Sequence, residues 1–461
     1  MKKVLNLIWF AIKGGEKNFT TGNINRAIIL LSIPMILEMV MEALFAVVDV
    51  YFVSKVSVNA VATVGFTESV ITLVYSIAIG LSMATTAMVA RRVGEGDHDR
   101  AAEAAVQSIL IAIAFSIVIS VIGVIFAADI LHIMGGSPEL IAEGIWYTRI
   151  IFGGNAVIML LFLLNAIFRG AGDAAMAMRA LWLANILNIF LDPCFIFGWG
   201  PFPELGVAGA AVATNIGRGI GVLFQLYVLM NGKVIVKIMR RHLKVAWDVI
   251  LRLLDVSLGG MGQYIIASAS WIFLMRIIAE FGEVAVAGYT ISIRMIIFAI
   301  LPAWGMANAA ATLVGQNLGA NQPERAEKSV WTSAFYTMLF LLGVSIIYYL
   351  FSNPLIGFFH SDPRVVDVGS TSLKIICLGY VFFAYGMVIS QSFNGAGDTR
   401  TPTVLNFICF WLLQIPLAYI MGISMNLGPS GVFWAIAISE TVLAIMCIYL
   451  FRKGAWKKVS I

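Results

Sequence analysis

The chain has 461 residues, of which 60% are hydrophobic and only 12% are charged, and its 30 basic and 25 acidic side chains give a net charge of +5. A soluble domain carries about 25% charged residues, so this composition excludes an ordinary soluble protein and indicates a polytopic membrane protein. The four cysteines lie inside apolar runs without a C-x-x-C pair, which argues against a disulfide framework or a zinc site.

The first 26 residues precede any run long enough to cross a bilayer. Lys2-Lys3 and the apolar stretch 4–12 resemble a short signal peptide, but no small-residue cleavage site follows. With Trp9 and Lys13 beside it, the stretch predicts an N-terminal interfacial helix within residues 1–26.

Twelve apolar runs reach the roughly 20 residues that a membrane crossing needs. The runs are 27–54, 62–90, 102–128, 142–168, 174–199, 206–231, 249–279, 285–315, 329–352, 368–392, 401–423 and 430–451. We therefore predict an all-α membrane protein with 12 transmembrane helices in two six-helix bundles. The predicted divisions are an N-terminal bundle at 27–232, a basic cytoplasmic linker at 233–247, a C-terminal bundle at 248–452 and a tail at 453–461.

Lysine and arginine are concentrated at the two ends of the chain and at each connection that follows an even-numbered run. The clusters are Lys2/Lys3/Lys13/Lys17/Arg26, Arg91/Arg92/Arg100, Lys233 to Lys244, Arg325/Lys328, Arg400 and Arg452/Lys453/Lys457/Lys458. The opposite connections hold little beyond Lys55 and Arg364. Because positively charged loops stay on the cytoplasmic side, both termini are predicted to be cytoplasmic in a multi-pass protein of the inner (plasma) membrane.

The two halves of the chain repeat each other. The segment FRGAGD at 168–173 recurs as FNGAGD at 393–398, and residues 94–101 match 319–326 at the same offset along the chain. Each repeat holds six spans, an even number, so both insert with the same orientation. This parallel arrangement is typical of transporters that rock one half against the other around a central site.

Three polar side chains interrupt the fifth run. Asn185, Asn188 and Asp192 are spaced i, i+3 and i+7, which places them on one face of a helix, and Pro193 follows directly. A charged side chain at mid-depth costs roughly 2.5–3.5 kcal/mol, so this face must point into the protein. The corresponding positions of the second repeat hold Phe410, Leu413 and Leu417. An ion site is therefore predicted in the first half only.

The first run supplies a further set of acids. Asp49 lies about six helical turns beyond the cytoplasmic end of its run, and Asp192 lies about five turns beyond the cytoplasmic end of its own, so both reach the outer half of the bilayer. We expect these two carboxylates to meet. Glu38 and Glu42 fall on the same stripe as Asp49 and predict a carboxylate track, while Pro34 removes a helix hydrogen bond and predicts a place to bend.

Two carboxylates in one poorly solvated pocket favour the uptake of a proton or a cation. Oxygen atoms of Asp49, Asn188, Asp192 and Thr214 can ligate a hard monovalent cation such as Na⁺, by analogy with oxygen-ligated divalent ions. Proton and sodium both remain open at this point, as does a purely structural role for the acids. Asn185 is either a ligand or a helix–helix contact.

Longer stretches of the sequence resemble the multidrug and toxic compound extrusion (MATE) family of transporters over residues 27–452. The resemblance rests on SIPMILEMVMEALFAVVDVYFVSKV, on the paired GAGD turns, on NILNIFLDP and on GVAGAAVAT. It implies two six-helix bundles around a V-shaped cavity. It also implies export of cationic or amphipathic compounds driven by sodium or proton entry.

Within that family the chain is similar to the DinF-like branch, which carries its coupling site in the N-terminal bundle. The matching positions are Asp49, Asn165, Asn188, Asp192 and Thr214, with Pro34 at the site of helix bending. The NorM-like branch instead uses acids on helices 7 and 10. Here helix 7 offers Gln263 and helix 10 offers Tyr380 and Tyr385, which argues against a C-terminal coupling site.

We therefore expect a cation-coupled antiporter, monomeric, with a small organic substrate, a lipid bilayer around it, no nucleic-acid partner and no cofactor beyond the coupling ion. A lipid or lipid-linked oligosaccharide flippase is the alternative, and it predicts a cavity lined by many cationic residues. The intramembrane bases are few, namely Arg149, Arg218, Arg276, Arg294 and Lys374. An intramembrane enzyme is not expected, since neither H-E-x-x-H nor G-x-S-x-G occurs. A receptor or scaffold without transport is the remaining alternative.

Overall fold

The structure is a computed structural model that describes residues 2–14, 19–232 and 234–461. Met1, residues 15–18 and Lys233 lie outside the described residues, and they include parts of the predicted interfacial segment and basic linker. Residues Lys2–Lys13 form the predicted N-terminal helix, α1.

The long apolar runs form helices throughout the described chain. The first half contains α2 (Ile24–Val53), α3 (Val58–Gly94), α4 (His98–Ile125), α5 (Ala127–Ile133), α6 (Pro138–Gly153), α7 (Asn155–Gly170), α8 (Ala174–Phe197) and α9 (Val207–Asn231). The second half contains α10 (Trp247–Ala279), α11 (Glu283–Gly319), α12 (Pro323–Gly357), α13 (Pro363–Leu378), α14 (Tyr380–Ala396), α15 (Arg400–Asn406), α16 (Ile415–Tyr419) and α17 (Pro429–Lys453). Among the described residues, ten helices are long and apolar enough to cross a bilayer, and two bent helix pairs bring the number to twelve. The predicted fold class is confirmed.

The fourth and tenth predicted spans are each broken into two helices, whereas the apolar pattern indicates continuous runs. Helices α6 and α7 meet at 41°, and α13 and α14 meet at 59°. The breaks fall at Gly154 and Gly379, which occupy equivalent positions in the two repeats. At the first break, the Asn155 side chain donates to the carbonyl of Phe152 at 2.6 Å, and insertion of a side chain at a helix kink is a common arrangement.

The eleventh span, Arg400–Ser424, is the repeat counterpart of α8. It contains a π-helical segment between α15 and α16, at Phe407–Gln414, and a second one after α16, at Ile420–Ser424. The two counterparts therefore differ in backbone geometry as well as in polarity.

The repeat is visible in the backbone of the two Gly-Ala-Gly-Asp turns. Gly172 has φ 82° and Gly397 has φ 90°, a conformation that favours glycine because it has no Cβ. In both turns the aspartate amide donates to the carbonyl of the phenylalanine that opens the repeated segment, at 2.8 and 2.9 Å. The sequence repeat is thus a structural repeat.

The two bundles touch along α3 and α11, which cross where each helix ends. A Cβ added at Gly94 would lie 2.0 Å from the Gln316 carbonyl oxygen, and one added at Gly319 would lie 2.0 Å from the Arg91 carbonyl oxygen. The two contacts are equivalent under the repeat. Glycine therefore allows backbone-to-backbone contact on both sides of the repeat axis, and we call this the glycine crossing.

Segments from both ends of the chain lie on the same face as the glycine crossing. Arg325 donates to the carbonyls of Phe19, Thr21 and Gly22. The C-terminal segment 455–461 contains Trp456, which is fully buried and stacks on Phe451 of α17 with ring centroids 4.5 Å apart. We call this side of the molecule the termini face.

The C-terminal segment also bridges the bundles. Arg91 of α3 donates to the carbonyl of Val459, and Arg92 donates to Ile461 O at 2.9 Å. The Ile461 side chain packs against the apolar core of the first bundle and against Gly397 of the second. A segment that leaves the second bundle therefore ends between the two bundles.

Candidate cation site and central cavity

The polar face of α8 is buried inside the first bundle. Asn185, Asn188 and Asp192 have no exposed surface. Asn188 Nδ2 donates to Asp192 Oδ1 at 3.2 Å and to Thr214 Oγ1 of α9 at 3.1 Å. The predicted association of Asn188, Asp192 and Thr214 is present in the structure.

Glycines on α9 bring Thr214 this close to α8. A Cβ added at Gly209 would lie 2.3 Å from the Phe195 carbonyl oxygen, and one at Gly217 would lie 2.7 Å from the Ala184 carbonyl oxygen. Larger residues would separate the two backbones. Gly209 inside GVAGAAVAT and Gly217 just after it thus position Thr214 by removing side chains on one side of the helix.

Asp49 of α2 is also buried and lies within electrostatic range of Asp192. Three buried oxygen atoms in this region have no hydrogen-bond partner among the described residues: Asp49 Oδ1, Asn188 Oδ1 and Asp192 Oδ2. A buried polar atom left without a partner costs about 1–3 kcal/mol. A cation ligated by these oxygens, or a proton on a carboxylate, would remove part of that cost. We call Asp49, Asn188, Asp192 and Thr214 the aspartate cluster.

Glu42 belongs to a second polar group on the same stripe of α2. Arg218 of α9 donates to Glu42 Oε1 at 2.8 Å, and Asn185 donates to Glu42 Oε2 at 3.0 Å. Arg218 is buried and lies over the Phe45 ring at 4.9 Å. Asn185 therefore contacts Glu42 and is not bonded to the aspartate cluster.

Glu38 belongs to a third polar group, one helical turn away. Arg169 donates to Glu38 Oε1 at 2.9 Å, and Asn165 donates to the same atom at 3.0 Å. Gln225 of α9 in turn donates to Asn165 at 2.6 Å. Glu38 Oε2 is buried without a partner among the described residues.

One predicted grouping differs from the structure. Asn165 is expected beside the aspartate cluster, but its bonds go to Glu38 and Gln225. Glu38 and Glu42 are expected to form a carboxylate track below Asp49, and the structure pairs each of them with an arginine. Helical periodicity places the three acids on one stripe of α2 but cannot reveal which bases other helices bring to them.

The Glu38–Arg169 pair gives a testable stability difference. Arg169→Met is expected to lower the free energy of unfolding by about 3–5 kcal/mol because it leaves a buried carboxylate without its cation. Glu38→Gln combined with Arg169→Met is expected to recover most of that loss. Both are measured as thermal unfolding of the purified protein in detergent.

The matched control for this pair is Arg276→Met. Arg276 lies 3.7 Å from Glu280, and both side chains are more than half exposed, so its loss is expected to cost less than about 1 kcal/mol. Equal destabilisation by the single and double variants at Glu38 and Arg169 would contradict the pairing.

A cavity of 280 Å³ lies between the two bundles. Four charged side chains line it, two acids and two bases that are paired with each other. They are Glu38, Glu42, Arg169 and Arg218. The second bundle contributes Tyr264, Trp304 and Asn394, among others. The charged lining is therefore neutral overall, and the second and third polar groups face this cavity directly.

The two remaining predicted residues, Gln263 and Pro34, lie outside the aspartate cluster. Gln263 of α10 exchanges hydrogen bonds with the Asn394 side chain and donates to the Thr399 carbonyl. Pro34 is buried within α2, which remains helical on both sides of it. Next to it, Gly305 of α11 allows the backbone at Met35 to approach within contact distance. Bending at Pro34 stays a prediction.

Sequence reasoning missed several charged residues. Arg169 belongs to the segment that forms the GAGD turn, and the sequence indicates only a turn there, although the side chain contacts Glu38. Glu68 of α3 lies within electrostatic range of Asp49. Glu440 of α17 lines a cavity in the second bundle. Glu68 and Glu440 both lie inside predicted spans, and intramembrane acids are functional by default, so this signal was available.

A family model described as MatE matches residues 34–194 and 261–420. The two matched segments lie one in each bundle and together cover most of the chain. The chain belongs to the MatE family. As a MatE protein it is a multi-pass membrane transporter of small molecules and not an enzyme.

Individual relatives span nearly the whole MatE chain. It is similar to the probable multidrug resistance protein NorM of Thermotoga maritima, with 28% identity over 95% of this chain and 94% of the relative. It is 22% identical to the multidrug export protein MepA of Staphylococcus aureus over 94% and 95% of the two chains. A crystal structure of MATE in the straight conformation matches with a TM-score of 0.89 and 29% identity, over 95% of this chain and 98% of the other.

Proposed function

We propose that this chain is an antiporter that couples entry of Na⁺ or H⁺ at the aspartate cluster to export of organic, cationic or amphipathic compounds. The observation that carries the proposal is the set of three buried oxygens on Asp49, Asn188 and Asp192 that lack a partner among the described residues. They belong to different helices, α2 and α8, so a bound cation or proton would change how these helices pack. Placement in the DinF-like branch is part of the proposal.

Coupling requires that the cluster bind its ion differently in two conformations, because a ligand shifts an equilibrium only by its differential affinity. Helix α2 offers the mechanical link. It carries Asp49 near one end, Glu42 and Glu38 at the central cavity, and Pro34 beside the contact with α11. Neutralisation of Asp49 can thus alter the shape of the cavity through bending at Pro34.

The substrate class follows from the lining of the central cavity. Arg169 and Arg218 are held by Glu38 and Glu42, so the cavity offers no free pair of bases among the described residues for a diphosphate headgroup. This favours an amphipathic organic compound over a lipid-linked oligosaccharide. The multidrug names of the Thermotoga and Staphylococcus relatives support the same class.

The proposed location is the plasma membrane with the termini face in the cytoplasm. Support comes from the basic residues on that face, which include Arg91, Arg92 and Arg325, together with the tendency of positive loops to stay inside. The glycine crossing then closes the cytoplasmic side.

Thermal unfolding of the purified protein against sodium concentration, at several pH values, tests the coupling site. If Na⁺ binds, saturating sodium at about 100 times its Kd should stabilise the protein by about 2.7 kcal/mol, and choline at equal ionic strength should not. Competition between the two ions predicts a larger sodium effect as pH rises. Asp192→Asn should remove the effect.

A proton-only site predicts a different pattern. Unfolding would then be insensitive to sodium, and its pH dependence would differ between the wild-type protein and Asp192→Asn. The proposal fails if neither sodium nor pH changes stability in a way that depends on Asp49 or Asp192.

A further inference from the structure

The second bundle contains a cavity of its own, with a volume of 640 Å³. It lies among α10, α11, α13, α14, the eleventh span and α17. It shares Met83 of the first bundle and Tyr264, Leu301, Trp304 and Gln391 of the second with the central cavity. It is more than twice as large as the central cavity. Its volume falls within the roughly 300–1,000 Å³ of pockets that bind drug-sized molecules.

Aromatic side chains stand among the aliphatic residues in the wall of this cavity. Trp271, Trp304, Tyr380, Phe383 and Phe410 all line it. Faces of tryptophan, tyrosine and phenylalanine attract cations through the ring quadrupole, most strongly where water is excluded. The wall is therefore suited to an apolar molecule that carries a positive charge.

Glu440 of α17 is the one charged side chain among the described residues that line this cavity. The structure shows no hydrogen bond or ion pair for its carboxylate among the described residues. The thiols of Cys409 and Cys447 lie within electrostatic range of it. Glu440 thus differs from Glu38 and Glu42, which are held by arginines.

A carboxylate in an apolar environment is stable only with a compensating charge beside it or with a proton on it. A small inorganic cation requires several oxygen ligands, and Glu440 is the one carboxylate beside five neutral polar side chains, Gln263, Ser268, Ser390, Gln391 and Asn406. The amide oxygens of Gln263 and Gln391 already accept hydrogen bonds from Asn394. A lipophilic organic cation meets both demands, because its charge faces the carboxylate and its body covers the rings. The volume of the cavity accommodates such a molecule.

We propose that the cavity of the second bundle is a binding site for monovalent lipophilic organic cations, with Glu440 as the group that selects for positive charge. This inference rests on the proposed export function and deepens it by giving the cationic substrate a place and a residue that selects its charge. The site is separate from the aspartate cluster, so ion coupling and substrate charge selection reside in different bundles. The shared wall at Tyr264 and Trp304 connects it to the central cavity.

Binding of tetraphenylphosphonium to the full chain in lipid nanodiscs tests the site without any ion gradient. Glu440→Gln is expected to weaken binding at least tenfold, measured by calorimetry and by quenching of tryptophan fluorescence. Glu440→Asp, which keeps the charge, should retain binding within a few fold. The neutral probe triphenylphosphine oxide should bind the wild type and Glu440→Gln equally.

The matched control is Glu283→Gln, an exposed acid at the start of α11 outside the cavity, which should leave binding unchanged. Ligand-free thermal unfolding verifies that each variant is folded. The proposal is overturned if Glu440→Gln binds tetraphenylphosphonium like the wild type, or if it loses the cationic and the neutral probe equally. If only proton movement changes, Glu440 carries protons and the proposal is wrong.

These outcomes are distinct from failure of the antiport proposal. Probe binding that depends on Glu440, without export driven by a sodium or proton gradient, would remove the antiporter and leave this site. If export is driven by the gradient but Glu440→Gln binds the probe like the wild type, the antiporter proposal stands and the proposed site in the second bundle is wrong.

Discussion

Replacing Asp192 or Asp49 by asparagine is expected to reduce gradient-driven export of a lipophilic cation to the level of empty vesicles. Asparagine has nearly the same shape as aspartate, but it cannot take up a proton and carries no charge for Na⁺. The aspartate cluster would then lose the charge change on which the ion gradient acts. Without this charge change the ion no longer favours one conformation over the other, so the gradient cannot drive export even if the substrate still binds.

Reconstituted vesicles with an imposed sodium or pH gradient give the direct measurement, and drug resistance of an efflux-deficient host gives the cellular one. Asp129→Asn, at an exposed acid on α5, is the matched control and should export normally. Undiminished export by Asp49→Asn and Asp192→Asn, at normal expression, would remove the proposed mechanism.

A single methyl group at the glycine crossing is expected to force the two bundles apart on the termini face. In Gly94→Ala or Gly319→Ala, the new Cβ would lie 2.0 Å from a backbone carbonyl oxygen of the other bundle, and a backbone cannot yield as a side chain does. Overpacking of this kind costs about 1–3 kcal/mol. That is enough to shift a two-state equilibrium by roughly five-fold to a hundred-fold.

Spin labels at His98 and Glu324 measure the distance between the two bundles on the termini face. Both are exposed residues, at the starts of α4 and α12. Longer distances and slower export are expected in both variants. Gly343→Ala is the control, because nothing lies within 4 Å of a Cβ added there. Unchanged label distances in Gly319→Ala would show that the crossing does not hold this face closed.

The helices and the repeat could be predicted from the sequence because each depends on local information. Length of an apolar run determines whether it spans a bilayer, and the recurring GAGD segments directly reveal the repeat. The breaks at Gly154 and Gly379 could not be predicted, because glycine inside an apolar run is common in membrane helices. Nothing local distinguishes these two glycines from those that pack against a neighbour.

The candidate site was predictable to the extent that it lies on one helix face. The stripe Asn185, Asn188 and Asp192 follows from spacing alone, and Thr214 is proposed as a ligand from its hydroxyl on the sixth span. Spacing along one helix could not show which basic side chains of other helices pair with Glu38 and Glu42. Arg169 and Arg218 come from α7 and α9, and only packing shows that they neutralise Glu38 and Glu42.

The C-terminal segment sets a geometric limit on how far the bundles can move. Trp456 is anchored to the second bundle, and the Ile461 carbonyl accepts a hydrogen bond from Arg92 of the first. The stretch of chain between them reaches at most about 18 Å when fully extended. A motion that would move Arg92 and Trp456 farther apart than this reach allows must first detach Ile461 from Arg92. The amplitude of the transport stroke is thus bounded by a piece of chain that touches neither ion nor cargo.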